Sequence, residues 1–208
     1  MRHWFKRRQA DGSRVVLALE AGRLSWLQTT PGAQGRPAVQ RAGVIDARGA
    51  EGGHDDLARR LRELRLSGSE VLAVLPPPHY QLLQIEAPAV PHDELRAAAR
   101  WRIKDLVDAH LDDLTLDVLR VGDDRQRAQN QLFVVAAPSQ RIAELAACCE
   151  AAGLVLGVVD VSETAQRNLQ CALADAAGVQ DEASAALVVH GGQCLFTVSA
   201  AGELFYSR

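Results

Sequence analysis

The chain has 208 residues, of which 48% are hydrophobic and 24% charged, with a formal net charge of −3; that is enough to bury one large core or two small ones. The acidic balance, a pI near 6.1 and only 4% aromatic residues exclude a general nucleic-acid binder, which needs a basic footprint and stacking platforms. No apolar run reaches the ~18 residues of a membrane span, and no signal-peptide pattern opens the chain, so a cytoplasmic address is expected.

Residues 1–12 form a basic tail in which Arg2, Lys6, Arg7 and Arg8 surround Trp4 and Phe5. Residues 1–8 have the composition of a segment that rests on an anionic membrane surface, although a solvated, frayed tail is the commoner state of such a terminus. Next, Val15, Leu17 and Leu19 alternate with Val16, Ala18 and Glu20, and Gly22 supplies a turn. The pattern predicts two strands of a tight hairpin, with residues 38–45 as a third. Residues 54–66 predict a helix, with Leu57, Leu61 and Leu64 at helical spacing and Asp55 and Asp56 in its first turn. Residues 70–75 make a short apolar strand, and Pro76 to Pro78 stop it and mark a boundary.

Beyond the prolines the order is strand (80–87), helix (92–107), strand (114–121), polar turn (122–130) and strand (131–138). On the helix Leu95, Ala99, Ile103 and Leu106 share one face, while Arg96, Arg100 and Lys104 form a basic ridge beside it. A solvated face is the commonest meaning of such a ridge. The acids that follow, Asp105, Asp108, Asp112 and Asp113 around His110, have neither zinc-ligand spacing nor the order of a calcium loop. They read as helix-end and turn residues, and no metal site is expected.

Residues 139–153 predict another helix, with Ile142, Leu145, Ala146 and Cys149 on one face and Gly153 at its stop. The almost wholly apolar stretch 154–161 predicts a strand covered on both faces, with Leu154, Leu156, Val158 and Val159 in the central core. Residues 162–178 form a further amphipathic helix, Ser162 as its N-cap and Gly178 its terminator. The rest reads as strand, Gly191–Gly192 turn, strand, turn, strand. Cys148, Cys149, Cys171 and Cys194 form no CxxC pair and read as reduced thiols. Alternating strands and helices with apolar strands indicate an α/β fold.

The segment "LLQIEAPAVPHDELRAAARWRIKDLVDAHLDDLTLDV" resembles the inserted subdomain of PilM-type proteins, actin-like components of type IV pilus machines, and is closest to their MshI branch. The resemblance is sharpest over residues 82–118, in the Arg-Trp pair, the Ile-Lys-Asp-Leu run and the acids before a strand. It implies an actin-like, ribonuclease H-like ATPase fold. Residues 13–75 and 138–180 would form its first lobe, 76–137 an inserted strand-helix-strand-strand subdomain, and 183–208 the start of a truncated second lobe. It further implies a cytoplasmic adaptor at the inner face of the bacterial inner membrane. Such an adaptor would dock the N-terminal, PilN-like tail of a bitopic inner-membrane pilus protein and connect to pilus motor components. Carried over, the docking region is the helix around Arg96, Arg100, Trp101 and Lys104.

The same family has two phosphate-gripping hairpins, each with a tight glycine turn and an Asp that positions magnesium. Glu20-Ala21-Gly22-Arg23 stands at the first and His190-Gly191-Gly192-Gln193 at the second, so Asp has become Glu in one and His in the other. Imidazole is a poor magnesium ligand. Glu20, Gly22, Gly191, Gly192 and Gln193 therefore read as degenerate nucleotide-binding turns, with no catalytic residue and no required cofactor expected. Weak ATP and magnesium binding stays open, since glycine turns still hold phosphate. Two alternatives to the adaptor also stay open. One is an active actin-fold ATPase or phosphotransferase, complete only in a longer or dimeric form. The other is the cytoplasmic region of a GspL-like type II secretion protein.

Overall fold

The structure, a computed structural model, describes residues 13–20, 22–33, 37–46, 53–121, 131–190 and 192–208. The basic tail 1–12, the polar turn 122–130, Gly191 and the side chains of Glu20, Asp55 and His190 lie outside the described residues.

In chain order the first strands are β1 (Arg14–Glu20), β2 (Arg23–Pro31) and β3 (Pro37–Asp46). They are followed by α1 (Gly53–Glu63), β4 (Glu70–Leu75) and β5 (Gln81–Glu86). A short helix α2 (Leu95–Arg102) precedes β6 (Leu114–Val121) and β7 (Gln131–Pro138). Then come α3 (Ser139–Ala151), β8 (Val155–Val161) and α4 (Ser162–Ala177). The last elements are β9 (Ser184–His190), β10 (Gln193–Ala200) and β11 (Glu203–Ser207).

The described residues form two compact units, one within 1–76 and 140–160, the other within 77–139 and 161–208. α4 thus belongs with the C-terminal strands, whereas the sequence resemblance grouped 138–180 with the N-terminal part.

The first unit contains a five-stranded sheet in the order β3-β2-β1-β4-β8. β1 pairs antiparallel with β2 and parallel with β4. The alternation read from sequence places Val15 and Leu17 in the core with Leu24 and Trp26 of β2, Leu17 directly opposite Trp26, all at most 8% exposed. Gly22 takes φ 75°, the left-handed region in which a side chain at this two-residue turn would be strained. α1 buries Ala58 and Leu61, and α3 buries Leu145, Cys148 and Cys149.

β8 departs from expectation. It lies at the sheet's edge, and Val158 is 48% exposed, so Val158 is not central core, whereas Leu154 just before the strand is 5% exposed. An unbroken apolar run cannot by itself tell a central strand from an edge strand; pairing order decides it.

The second unit has two three-stranded antiparallel sheets, β5-β7-β6 and β11-β10-β9. α2 lies along β6, and Leu95, Ala99 and Ile103, each 0% exposed, close a core with Leu114, Leu116, Leu132 and Val134. A smaller cluster joins Val121 and Phe133 to Leu204 of β11. α4 covers the other sheet. Ser162 is its first helical residue, not its cap: Val161 is the flanking extended residue, and Thr164 Oγ1 donates to the Val161 carbonyl at 3.0 Å. Gly178, at φ 72°, terminates the helix as the sequence predicts.

Candidate functional site

The helix carrying the proposed docking residues is shorter than its periodicity predicts. A 3-10 turn spans His92–Glu94, and regular helix ends at Arg102. The Ile103 N–H still reaches the Ala99 carbonyl at 3.1 Å, but the next bond, Leu106 N–H to the Ile103 carbonyl at 2.8 Å, already has the tighter i to i+3 form. Lys104 therefore sits in the turn after the helix, so the continuous ridge through Arg96, Arg100 and Lys104 is broken, and Leu106 is 54% exposed where the sequence placed it inward.

Arg100 helps to shape that turn. Its guanidinium donates to the Leu111 carbonyl and, at 2.9 Å, to Asp112 Oδ1, tying α2 to the Leu111–Asp113 turn ahead of β6. The Asp112 N–H donates to His110 Nδ1 at 3.3 Å. Asp112 and His110 thus serve a loop closure, and no group of three or more His, Cys, Asp or Glu side chains able to hold a metal occurs among the described residues. Trp101, next to Arg100, projects from the helix at 72% exposure. Arg96, Arg102 and Lys104 are exposed and form no ion pair among the described residues. The outward side of this element is therefore a large indole and an exposed leucine amid cations, above a fully buried Leu95–Ala99–Ile103 stripe.

At the two glycine hairpins, Glu20 faces Arg23 and His190 faces Gln193 across two-residue turns. Gly192 has φ 79°, with open space where a Cβ would stand. Its backbone conformation accounts for the glycine, without any close approach. Gln193 is exposed.

A separate cleft of about 340 Å³ opens between α4 and the β10–β11 turn. Asp175, Asp181 and Glu182 line it together with Gln170, Ser199 and Gly202. Three carboxylates without a facing cation make it unsuited to phosphate.

Sequence reasoning missed the polar seam beneath α4. Gln170 Oε1 accepts from Thr197 Oγ1 at 2.7 Å and Ser199 Oγ at 3.1 Å, while its Nε2 donates to the Ser184 carbonyl at 3.0 Å. Gln166 Nε2 donates to the Ala186 carbonyl at 3.0 Å. At the start of the helix Tyr80 donates its hydroxyl proton to Glu163 and accepts from the Ser162 N–H at 3.3 Å. Glu163, Gln166 and Gln170 sit three and four residues apart, a buried polar stripe flanked by the exposed Leu169 and Leu173. The spacing was present in the sequence, but only the partners on β9 and β10 show which face turns inward.

No protein-family model and no curated protein matches this chain. Solved structures do. The chain superposes on a protein of a PilM–PilN type IV pilus biogenesis complex with TM-score 0.77 and 20% identity, covering 94% of this chain and 60% of that one. It is similar to the cytoplasmic domain of EpsL, an inner-membrane component of the Vibrio cholerae type II secretion system, with TM-score 0.62, 14% identity and 94% and 71% coverage. A Bacteroides thetaiotaomicron protein described as having an actin-like ATPase fold and unknown function matches with TM-score 0.55, 8% identity and 95% and 69% coverage. The fold is the actin-like ATPase fold. Within it, this chain spans about 60% of the PilM–PilN complex chain that it matches. No helix among the described residues is long and apolar enough to cross a membrane.

Proposed function

We propose that this chain is a non-catalytic, PilM-like adaptor of the MshI branch, acting in type IV pilus biogenesis at the cytoplasmic face of the inner membrane. It docks the N-terminal tail of a bitopic, PilN-like membrane protein on the outward side of α2. The observation that carries this reading is Trp101, 72% exposed on a helix whose opposite side is fully buried. An exposed indole on a rigid element, flanked by cations, is the usual anchor of a protein interface. Arg96 and Lys104 supply charge for acidic or carbonyl groups of the tail, and Arg100 holds the adjoining turn in shape through Asp112. Support comes from the likeness to a PilM–PilN complex and from the replacement of the hairpin Asp residues by Glu20 and His190.

The likeness to EpsL favours a second reading, an equivalent adaptor of type II secretion, and the choice of peptide separates the two. In calorimetric titrations with N-terminal peptides of candidate bitopic proteins, a pilus-type tail binds and Trp101→Ala weakens it by about 2 kcal/mol, the scale of an interface hot spot. Paired Arg96→Glu and Lys104→Glu substitutions weaken it further and reduce its salt sensitivity. Unchanged affinity in Trp101→Ala rejects this docking surface.

A further inference from the structure

Glu94 leads into α2, and its backbone already follows the helical path, with φ −90° and ψ −10° and its N–H reaching the Pro91 carbonyl at 3.1 Å. Glu94 and Trp101 are two helical turns apart, so they lie on one line of the element, separated by about 10 Å along its axis. Both are exposed, Trp101 at 72%. Ala97 and Ala98 straddle that line between them, Ala97 exposed and Ala98 half-buried. These two positions follow Glu94 by three and four and precede Trp101 by four and three. They are where a helix places a cation for a carboxylate. They are also the turn over which the indole leans, because long side chains on a helix slope toward its N-terminus. Alanine at both leaves the carboxylate without a helical partner and the indole without a cover.

Glu94 makes no side-chain bond to the helix end and no ion pair among the described residues. Arg96, two residues on, belongs to another flank of the helix, and Arg100 is committed to Leu111 and Asp112. The outcome is a notch with a carboxylate at one end, an indole at the other and two methyl groups as its floor. Its chemistry fits the side chain of Lys or Arg. The aliphatic stem rests on the alanine methyls, and the charged head meets the carboxylate and the indole face together. A purely aliphatic side chain leaves Glu94 unmatched, and an acid or an anionic headgroup is repelled by it. Cytoplasmic segments next to a membrane span are enriched in Lys and Arg, so the tail of a bitopic inner-membrane protein brings the group that the notch requires.

We infer that the notch formed by Glu94, Ala97, Ala98 and Trp101 receives a Lys or Arg side chain of the docked tail. The inference rests on the docking reading above and adds to it the kind of residue that seats against Trp101. Arg96 and Lys104, away from the notch, stay available to the tail's carbonyl and acidic groups.

The test pairs the N-terminal peptide of a candidate bitopic pilus protein with a twin in which every Arg is citrulline and every Lys is acetyl-lysine, so that the stems stay and the charges go. Both are titrated calorimetrically into the full chain, with circular dichroism as a folding control. The wild type binds the charged peptide about fivefold more tightly than its twin, the scale of one cation–π contact. Glu94→Gln keeps the indole and lowers that ratio. Ala97→Lys, at an exposed helical position, sets a cation into the notch from within the chain and abolishes the preference. Equal binding of the two peptides by the wild type overturns the inference. So does a preference undiminished in Glu94→Gln or Ala97→Lys, or Trp101-dependent binding of a tail that has no Lys or Arg. Binding of neither peptide, or affinity unchanged in Trp101→Ala, rejects the docking surface itself and this inference with it.

Discussion

Tyr80 and Gln170 show how single side chains hold the second unit together. Tyr80 is 7% exposed, and burial above all, then its bond to Glu163, raises its phenol pKa well above the usual 10.0. The folded state thus favours the protonated phenol. The stability gained from it is complete below pH 10 and is lost as pH climbs above that value. In a Tyr206→Phe variant, which leaves Tyr80 as the sole tyrosine, the near-ultraviolet titration of the native protein is displaced to higher pH than that of the urea-unfolded chain. Coincident curves would contradict the buried pair. Gln170 holds two hydroxyls and a carbonyl at once, so Gln170→Leu strands buried polar groups and lowers unfolding stability by about 2–4 kcal/mol, read from the urea midpoint. Cys149 offers a third check. Burial first, and the neighbouring Cys148 second, push its thiol up to about 12. Ellman's reagent therefore labels the exposed Cys194 in the native protein and leaves Cys149 unmodified until unfolding.

Among the elements, the hairpins were the most legible. β1–β2 and β9–β10 both announce themselves by alternating apolar residues around a glycine, and local backbone chemistry alone settles them. α2 was legible only in part. Leu95, Ala99 and Ile103 are buried as their spacing requires, but the same periodicity ran on to Leu106. The helix stops at Arg102, and Arg100 closes onto Leu111 and Asp112, a contact between residues 11 and 12 apart that no helical pattern encodes. β8 illustrates the other limit. Leu154→Ala, at a buried site, costs about 2–4 kcal/mol, whereas Val158→Ala, at a site 48% exposed, costs under about 1 kcal/mol. Equal losses in denaturant titrations would restore β8 to the centre of its sheet.

At the level of the whole molecule, fold and function were legible to different degrees. The strand and helix order gave an α/β plan, and the residues around Arg100 and Trp101 resembled a PilM-type insert, in keeping with the likeness to actin-like folds. The polar seam of Glu163, Gln166 and Gln170 was hidden, because Thr197 and Ser199 lie 27 and 29 residues away from Gln170 in sequence. The docking account rests on Trp101 being the anchor, and the protein's indoles report on it directly. In a nitrogen-15 proton correlation spectrum titrated with the N-terminal peptide of a bitopic pilus protein, the Trp101 indole signal should shift with the amides of α2, while that of Trp26, 8% exposed, stays in place. Saturable shifts that leave the Trp101 indole and α2 untouched would contradict the account.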